Sequence, residues 1–289
     1  DTVNTNDTIG PIRIVHEEPY TTLPYILTLD DAGTTPGNNT PFNAGTFSNA
    51  VWTPTPASNS GDFAFMVGTG FTPTVGSGPL KDKSGRGNYL VAEGDYGTSP
   101  ASATLVSKCI DLAGMTSPVL QFRHHMYGAD IGAIRVQWIK AGENTWSNPM
   151  TPYTTTLADE KDQWSFYEVD LSNQAGNIIK LRFIAQKSGF GIASDIAFDD
   201  IAIFDKDNVD VGVDHVMAPG ARINLVGGPA AKRIQLKLRN HGKQSQNNIP
   251  ITYTVTPTCG VNAGVSTTYT YTHSGTIAPG ATATAVDAT

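Results

Sequence analysis

Charge is scarce in this chain. Only 16% of its 289 residues are Asp, Glu, Lys or Arg, which is low for a cytosolic enzyme. Basic residues are scarcer than acidic ones, 19 against 26, for a formal net charge of −7. No Lys/Arg cluster gathers on any segment, and a phosphate backbone needs one, so nucleic acid is excluded as a partner. Two cysteines, Cys109 and Cys259, are too few for a disulfide framework. They fall in different expected domains and are read as isolated thiols rather than a bridge. No apolar run approaches the ~18 residues of a membrane span, so membrane insertion is not expected. Helical periodicity over a dozen residues is missing throughout. A leader is missing too, but the chain opens on Asp1 rather than Met. It is read as a processed or excised piece, which leaves secretion open.

Thr, Ser, Asn and Gly fill the space that charge leaves, as suits turns and the wet faces of strands. That composition points to an extracellular β protein. After a lead-in over residues 1–24, broken by Pro11, Pro19 and Pro24, short apolar runs alternate with Gly, Pro and Asn punctuation, the mark of many short strands. In Val119–Tyr127, Leu120, Phe122, His124 and Met126 share one face while Gln121, Arg123 and His125 take the other. Ile134, Val136 and Trp138 alternate in the same way with Arg135 and Gln137, and Ile179, Leu181, Phe183 and Ala185 with Lys180 and Arg182. A dry face backed by a wet one predicts stacked antiparallel sheets. Near Asp205–Val213 an aromatic-rich part gives way to a Thr-rich one, with Ile234, Leu236 and Leu238, then Ile251, Tyr253 and Val255, as inward sets. The expected fold is all-β, with one sandwich over residues 25–205 and a smaller one over 206–289.

The first part resembles the MAM domain, an adhesive jelly roll of cell-surface and secreted proteins. The resemblance is carried by Leu29-Asp30-Asp31, Gly78-Pro79-Leu80-Lys81-Asp82, Gly87-Asn88-Tyr89-Leu90, His125-Met126-Tyr127-Gly128 and Ile196-Ala197-Phe198-Asp199-Asp200-Ile201. The cysteine pairs of many animal members are lacking, which points to a bacterial relative of Bacteroidetes type. The second part resembles the Ig-like, CARDB-like repeats that follow such jelly rolls in large secreted bacterial proteins. Leu238-Arg239-Asn240-His241-Gly242, Ile251-Thr252-Tyr253-Thr254-Val255 and Gly275-Thr276-Ile277-Ala278-Pro279-Gly280 carry that likeness. Such repeats continue for one or two strands beyond the segment matching Thr282–Val286. Either the repeat is truncated here or its last strand comes from elsewhere. An unpaired edge of that kind invites homo-assembly by strand donation.

The MAM resemblance implies a structural calcium ion held by Asp30, Asp82 and Asp199, with Asp200 and Glu93 in reserve. Buried like charges are tolerated only when neutralised, and a hard cation taking six to eight oxygens does that. Strand neighbours point oppositely, so one of Asp199 and Asp200 is the better ligand, and Asp199 is chosen. Other patterns carry less. Asp205–Asp210 lacks the sixth-position glycine and twelfth-position glutamate of an EF-hand, Val216 standing there, and is read as a solvated linker. His124-His125 cannot chelate one ion from opposite faces, and His124 is expected as a hydrogen-bonded core residue. His16-Glu17-Glu18 ends on Tyr20 rather than the second histidine of a zinc protease. No Gly-x-Ser-x-Gly elbow or phosphate loop occurs. Trp52, Trp146, Trp164, Tyr153 and Tyr167 are read as core fillers rather than an exposed glycan platform. The expectation is a non-catalytic adhesion, recognition or spacer module, displayed outside the cell and binding a protein or glycan. Its rivals are a glycan-binding accessory of an extracellular enzyme and a subunit of a surface filament.

Overall fold

In the computed structural model, residues 18–29, 43–58, 60–85, 87–97, 102–148, 150–161, 164–189, 191–218, 234–256 and 263–286 are described. The chain divides into two compact units, Asp1–Asp205 and Lys206–Thr289. Among the described residues no helix is long and apolar enough to cross a membrane.

The first unit is a pair of stacked antiparallel sheets. Across the larger one run β10 (Ser165–Asp170), β8 (Pro118–Met126), β12 (Ile196–Asp205), β5 (Tyr89–Ala92), β4 (Phe65–Thr69) and β2 (Asn43–Gly45). A further strand, β1 (Tyr25–Leu27), pairs with Ile201–Ile203 of β12. The smaller sheet orders β3 (Trp52–Thr55), β6 (Ser102–Ser107), β11 (Ile178–Lys187) and β7 (Ile110–Asp111), with β9 (Ile131–Lys140) also pairing with β11. Part of the expected lead-in belongs to this unit. The Tyr20 N–H donates to Cys109 O at 2.7 Å, and Asp111 N–H donates to Tyr20 O at 3.0 Å.

Alternation decides what lies between the sheets. On β11 every second residue from Ile179 to Lys187 is buried. Phe183 meets Phe122 of β8 at 5.0 Å between ring centroids, Phe198 of β12 at 5.1 Å and Trp52 of β3 at 5.5 Å. Each such pair adds about 0.5–1.5 kcal/mol beyond the burial itself. The outer face of the larger sheet is not bare either. Met66, Tyr89, Val91 and Ala197 are buried there beneath half-buried Trp164. Tyr89 donates its hydroxyl to Gly70 O at 2.8 Å, and Trp164 Nε1 donates to Lys81 O at 3.1 Å, which draws the 70–88 loop over this face.

The second unit pairs β13 (Val211–Ala218), β14 (Gln235–Asn240) and β17 (Thr282–Val286) in one sheet, and β15 (Ile249–Val255) with β16 (Thr267–His273) in another. Leu236, Leu238, Ile251, Ile277 and Ala285 form its core. The segment read as a solvated linker is held rather than free: the Asp205 carboxylate accepts the Thr116 and Ser117 N–H groups. Asp207 O, Asn208 O and Asp210 O accept hydrogen bonds from Lys243, Gln244, His241 and Gly242, so its backbone is tied to the 241–244 turn. Gly242 suits that contact, since a Cβ there would come within 2.7 Å of Asp210 N.

Candidate functional site

The acidic residues of interest stand on or beside the closing strand β12. Its register against β8 slips between Asp199 and Ala202, a β-bulge in which Asp200 takes a positive φ of 50°. Asp199 is 4% exposed, and Asp82, on the loop drawn over the sheet, is 2% exposed. The two are laced together. Lys83 N–H donates to Asp199 Oδ2 at 3.2 Å, and Asp82 Oδ2 accepts both the Ser84 N–H and the Ser84 hydroxyl. Asp82 Oδ1 is buried and has no hydrogen-bond partner among the described residues. Burial, with the Asp200 charge and then the Asp82 charge adding to it, pushes the Asp199 carboxyl up to about 8.

Of the expected ligands, then, Asp199 is bonded to the backbone next to Asp82. Asp200 turns away, half exposed, to Lys83 Nζ at 3.4 Å. Asp30 lies outside the described residues, as does Cys259; Cys109 is a free, half-buried thiol. Among the described residues no group of three or more His, Cys, Asp or Glu side chains gathers as a metal site.

The structure gives Glu93 a different role. Ile196 pairs with Ala92, so the next step along sets Glu93 against Asp195, and both are fully buried. Burial lifts both carboxyls, Glu93 to about 10, with the neighbouring Asp195 charge adding to the rise at Glu93. Gly94 N–H donates to Asp195 Oδ1 at 2.7 Å. The buried Lys187 ammonium donates to Gly94 O at 2.9 Å and Gly97 O at 3.0 Å, and lies 4.7 Å from the centroid of the Phe63 ring. Lys187 has a legible signal, since it continues the inward series of β11. Asp195 has none, because only the pairing of β5 with β12 brings it to Glu93.

His124 is a core residue as expected, but neither ring nitrogen has a hydrogen-bond partner among the described residues. Aromatic contacts hold it instead, Tyr153 at 4.6 Å and Phe122 at 5.9 Å. Burial lowers its pKa to about 4, so the ring is neutral at ordinary pH. Of the five candidate aromatics, Trp52 is buried and Trp146, Trp164, Tyr153 and Tyr167 are half-buried. Trp164 roofs Tyr89 and His125, and Trp146 lies over Arg182 with 4.2 Å from Cζ to ring centroid.

A two-sheet jelly-roll sandwich closed by the β12 strand defines the architectural class. The sequence pattern of the MAM domain (meprin/A5/mu) matches residues 47–207, more than half of the chain, and the chain belongs to the MAM family. Solved structures similar to it include a Stig cyclase, Fisc, from Fischerella sp. TAU, at 11% identity over 61% of this chain and 92% of that one, with a TM-score of 0.42. The K1 cleaved adhesin domain of Lys-gingipain from Porphyromonas gingivalis W83 matches at 16% identity over 57% and 98%, TM-score 0.37. A non-crystalline cellulose specific carbohydrate-binding module matches at 14% identity over 66% and 100%, TM-score 0.36.

Proposed function

We propose that this chain is a non-catalytic recognition module of an extracellular protein, with a jelly roll clamped by calcium and a second, Ig-like unit acting as spacer. The observation that carries the calcium reading is Asp82 Oδ1, buried and unpartnered beside the equally buried Asp199. A desolvated carboxylate oxygen without a donor is costly, and an oxygen-only donor set suits a hard cation. Membership of the MAM family supports the adhesive reading. Asp82 and Asp199 would hold the ion. Calcium supplies the positive charge that lets both carboxylates stay ionised out of water. The chain's own residues do the rest: Lys83 N–H and Asp200 N–H orient Asp199, Ser84 orients Asp82, and Trp164 and Tyr89 exclude water from the adjoining face.

The module works by display. Two sheets fixed to one another present their faces, loops and edges to a partner without reacting with it. Thermal melting with calcium and with excess chelator tests the clamp. Calcium should raise the midpoint of the first unit by several degrees, through RT ln(1 + [L]/Kd). Asp82→Asn and Asp199→Asn should each abolish the response. A melt indifferent to chelator, with no calcium found by elemental analysis, overturns the calcium reading.

A further inference from the structure

Across β3, β6, β9 and β11 the outward face of the smaller sheet carries charge of one sign. Arg182 of β11 stands opposite Gln137 of β9 and donates its Nε–H to the Gln137 side-chain oxygen. One rung on, Arg135 of β9 stands opposite Ile184 and reaches Gln186 Oε1 at 3.5 Å. Each guanidinium is thus positioned by a neutral amide. Among the described residues neither has a carboxylate within ion-pair distance. The outward positions of β3, β6, β9 and β11 (Thr53 and Thr55; Ser102, Thr104 and Val106; Arg135, Gln137 and Ile139; Lys180, Arg182, Ile184 and Gln186) include no acid. Asp111 of β7 stands two rungs from Arg182, opposite Ile178, and is engaged by Ala113 N–H at 2.8 Å. In a chain of net charge −7, uncompensated arginines on one sheet face mark charge complementarity to an anion.

We propose that this face binds an acidic polysaccharide, Arg135 and Arg182 receiving carboxylate or sulfate groups and half-buried Trp146 packing against a sugar ring. The inference rests on the recognition reading above and names its ligand class. The surface favours a glycan over an acidic polypeptide for three reasons. It is borne on flat strands. Amides and hydroxyls surround the two charges, with Gln137 Nε2 in turn donating to Asn148 Oδ1. An indole lies across one guanidinium, 4.2 Å from Cζ to ring centroid. The arginines sit diagonally across neighbouring strands, about 7–8 Å apart at the backbone, within reach of acidic groups on adjacent sugars.

Affinity electrophoresis of the whole chain tests the inference, in gels containing hyaluronate, neutral dextran or polyglutamate, with calcium present. The chain should be retarded by hyaluronate and not by dextran, and retardation should fade with added salt. Arg135→Gln/Arg182→Gln should weaken binding by at least about tenfold, and Trp146→Ala should weaken it with the charge intact. Lys161→Gln/Lys243→Gln, with the same change in net charge, should bind as the parent does. Melting curves of each variant separate lost binding from lost folding. Equal retardation of the arginine pair and the parent, no retardation at all, or stronger binding to dextran or polyglutamate overturns the proposal. If the calcium-dependent melt survives while hyaluronate binding fails, the ligand class is wrong and the clamped module stands; the converse result condemns the clamp alone.

Discussion

The two units share one rule, alternate residues turned inward, and differ in what those residues are. Between the sheets of the first unit lie Trp52, Phe65, Phe122, Phe183 and Phe198, all less than 2% exposed and linked by a chain of ring contacts. The second unit offers Leu236, Leu238, Ile251, Ile277 and Ala285. A smaller sandwich buries a smaller share of its surface, so hydrogen bonds must supply more of its stability. Asn240, fully buried, does much of this. Its side-chain amide donates to Gln244 O at 2.7 Å and Ile277 O at 2.8 Å, and its Oδ1 accepts Gly242 N–H at 2.9 Å. On the outer face of β15 and β16, Thr254 and Thr268 hydroxyls meet at 3.1 Å, and just past the paired ends Thr256 and Ser266 meet at 2.7 Å. One unit is held from within, the other by stitching.

That contrast can be broken at its strongest point first. Phe183→Ala should cost the first unit about 3–5 kcal/mol, seen as an early melting transition in calorimetry while the second transition holds. A single common shift would show that the two cores are not separate. Asn240→Ala should cost the second unit about 1–3 kcal/mol by removing three side-chain hydrogen bonds at a buried position, despite removing almost no apolar surface. Equal stability of variant and parent in urea would mean that the second unit is also held by its core.

The smallest effect is silent at neutral pH. His124 titrates in the unfolded chain near 6.5 and in the fold near 4. Its contribution to stability is full above the higher value and is lost as pH falls through the lower one. Glu93, raised to about 10, has the opposite sign and loses its contribution as pH climbs. Comparing His124→Phe with the parent isolates the first trend. The variant should lose less stability between pH 7.5 and pH 5, measured by urea unfolding of the first unit, and matched slopes would remove the histidine from the account.

The sandwiches were legible because their period is two and their faces are chemically distinct. Leu120 and Phe122 in β8 and Leu181 and Phe183 in β11 are buried where alternation puts them. The site was legible only in part. Asp199 accepts the Lys83 N–H beside Asp82, while Glu93 stands against Asp195. No spacing along the chain could reveal that pair, because their proximity is created by strands about a hundred residues apart. The hydrogen bonds expected of His124 fail for a related reason. Its neighbours Tyr153 and Tyr167 present ring edges and faces rather than acceptors, and nothing in the local sequence records which part of a tyrosine will be turned inward.

The slip in β12 has a consequence for chain length. Ahead of it the even-numbered Ile196 and Phe198 enter the core; beyond it the odd-numbered Ile201 and Ile203 do. The extra residue is therefore a parity switch, shared by β5 on one side of it and β1 on the other. Any side chain that tolerates the left-handed backbone could replace Asp200 at modest cost, yet removing one residue between Phe198 and Ile201 would turn the rest of the strand inside out. At position 200, number, more than identity, is what the strand must preserve.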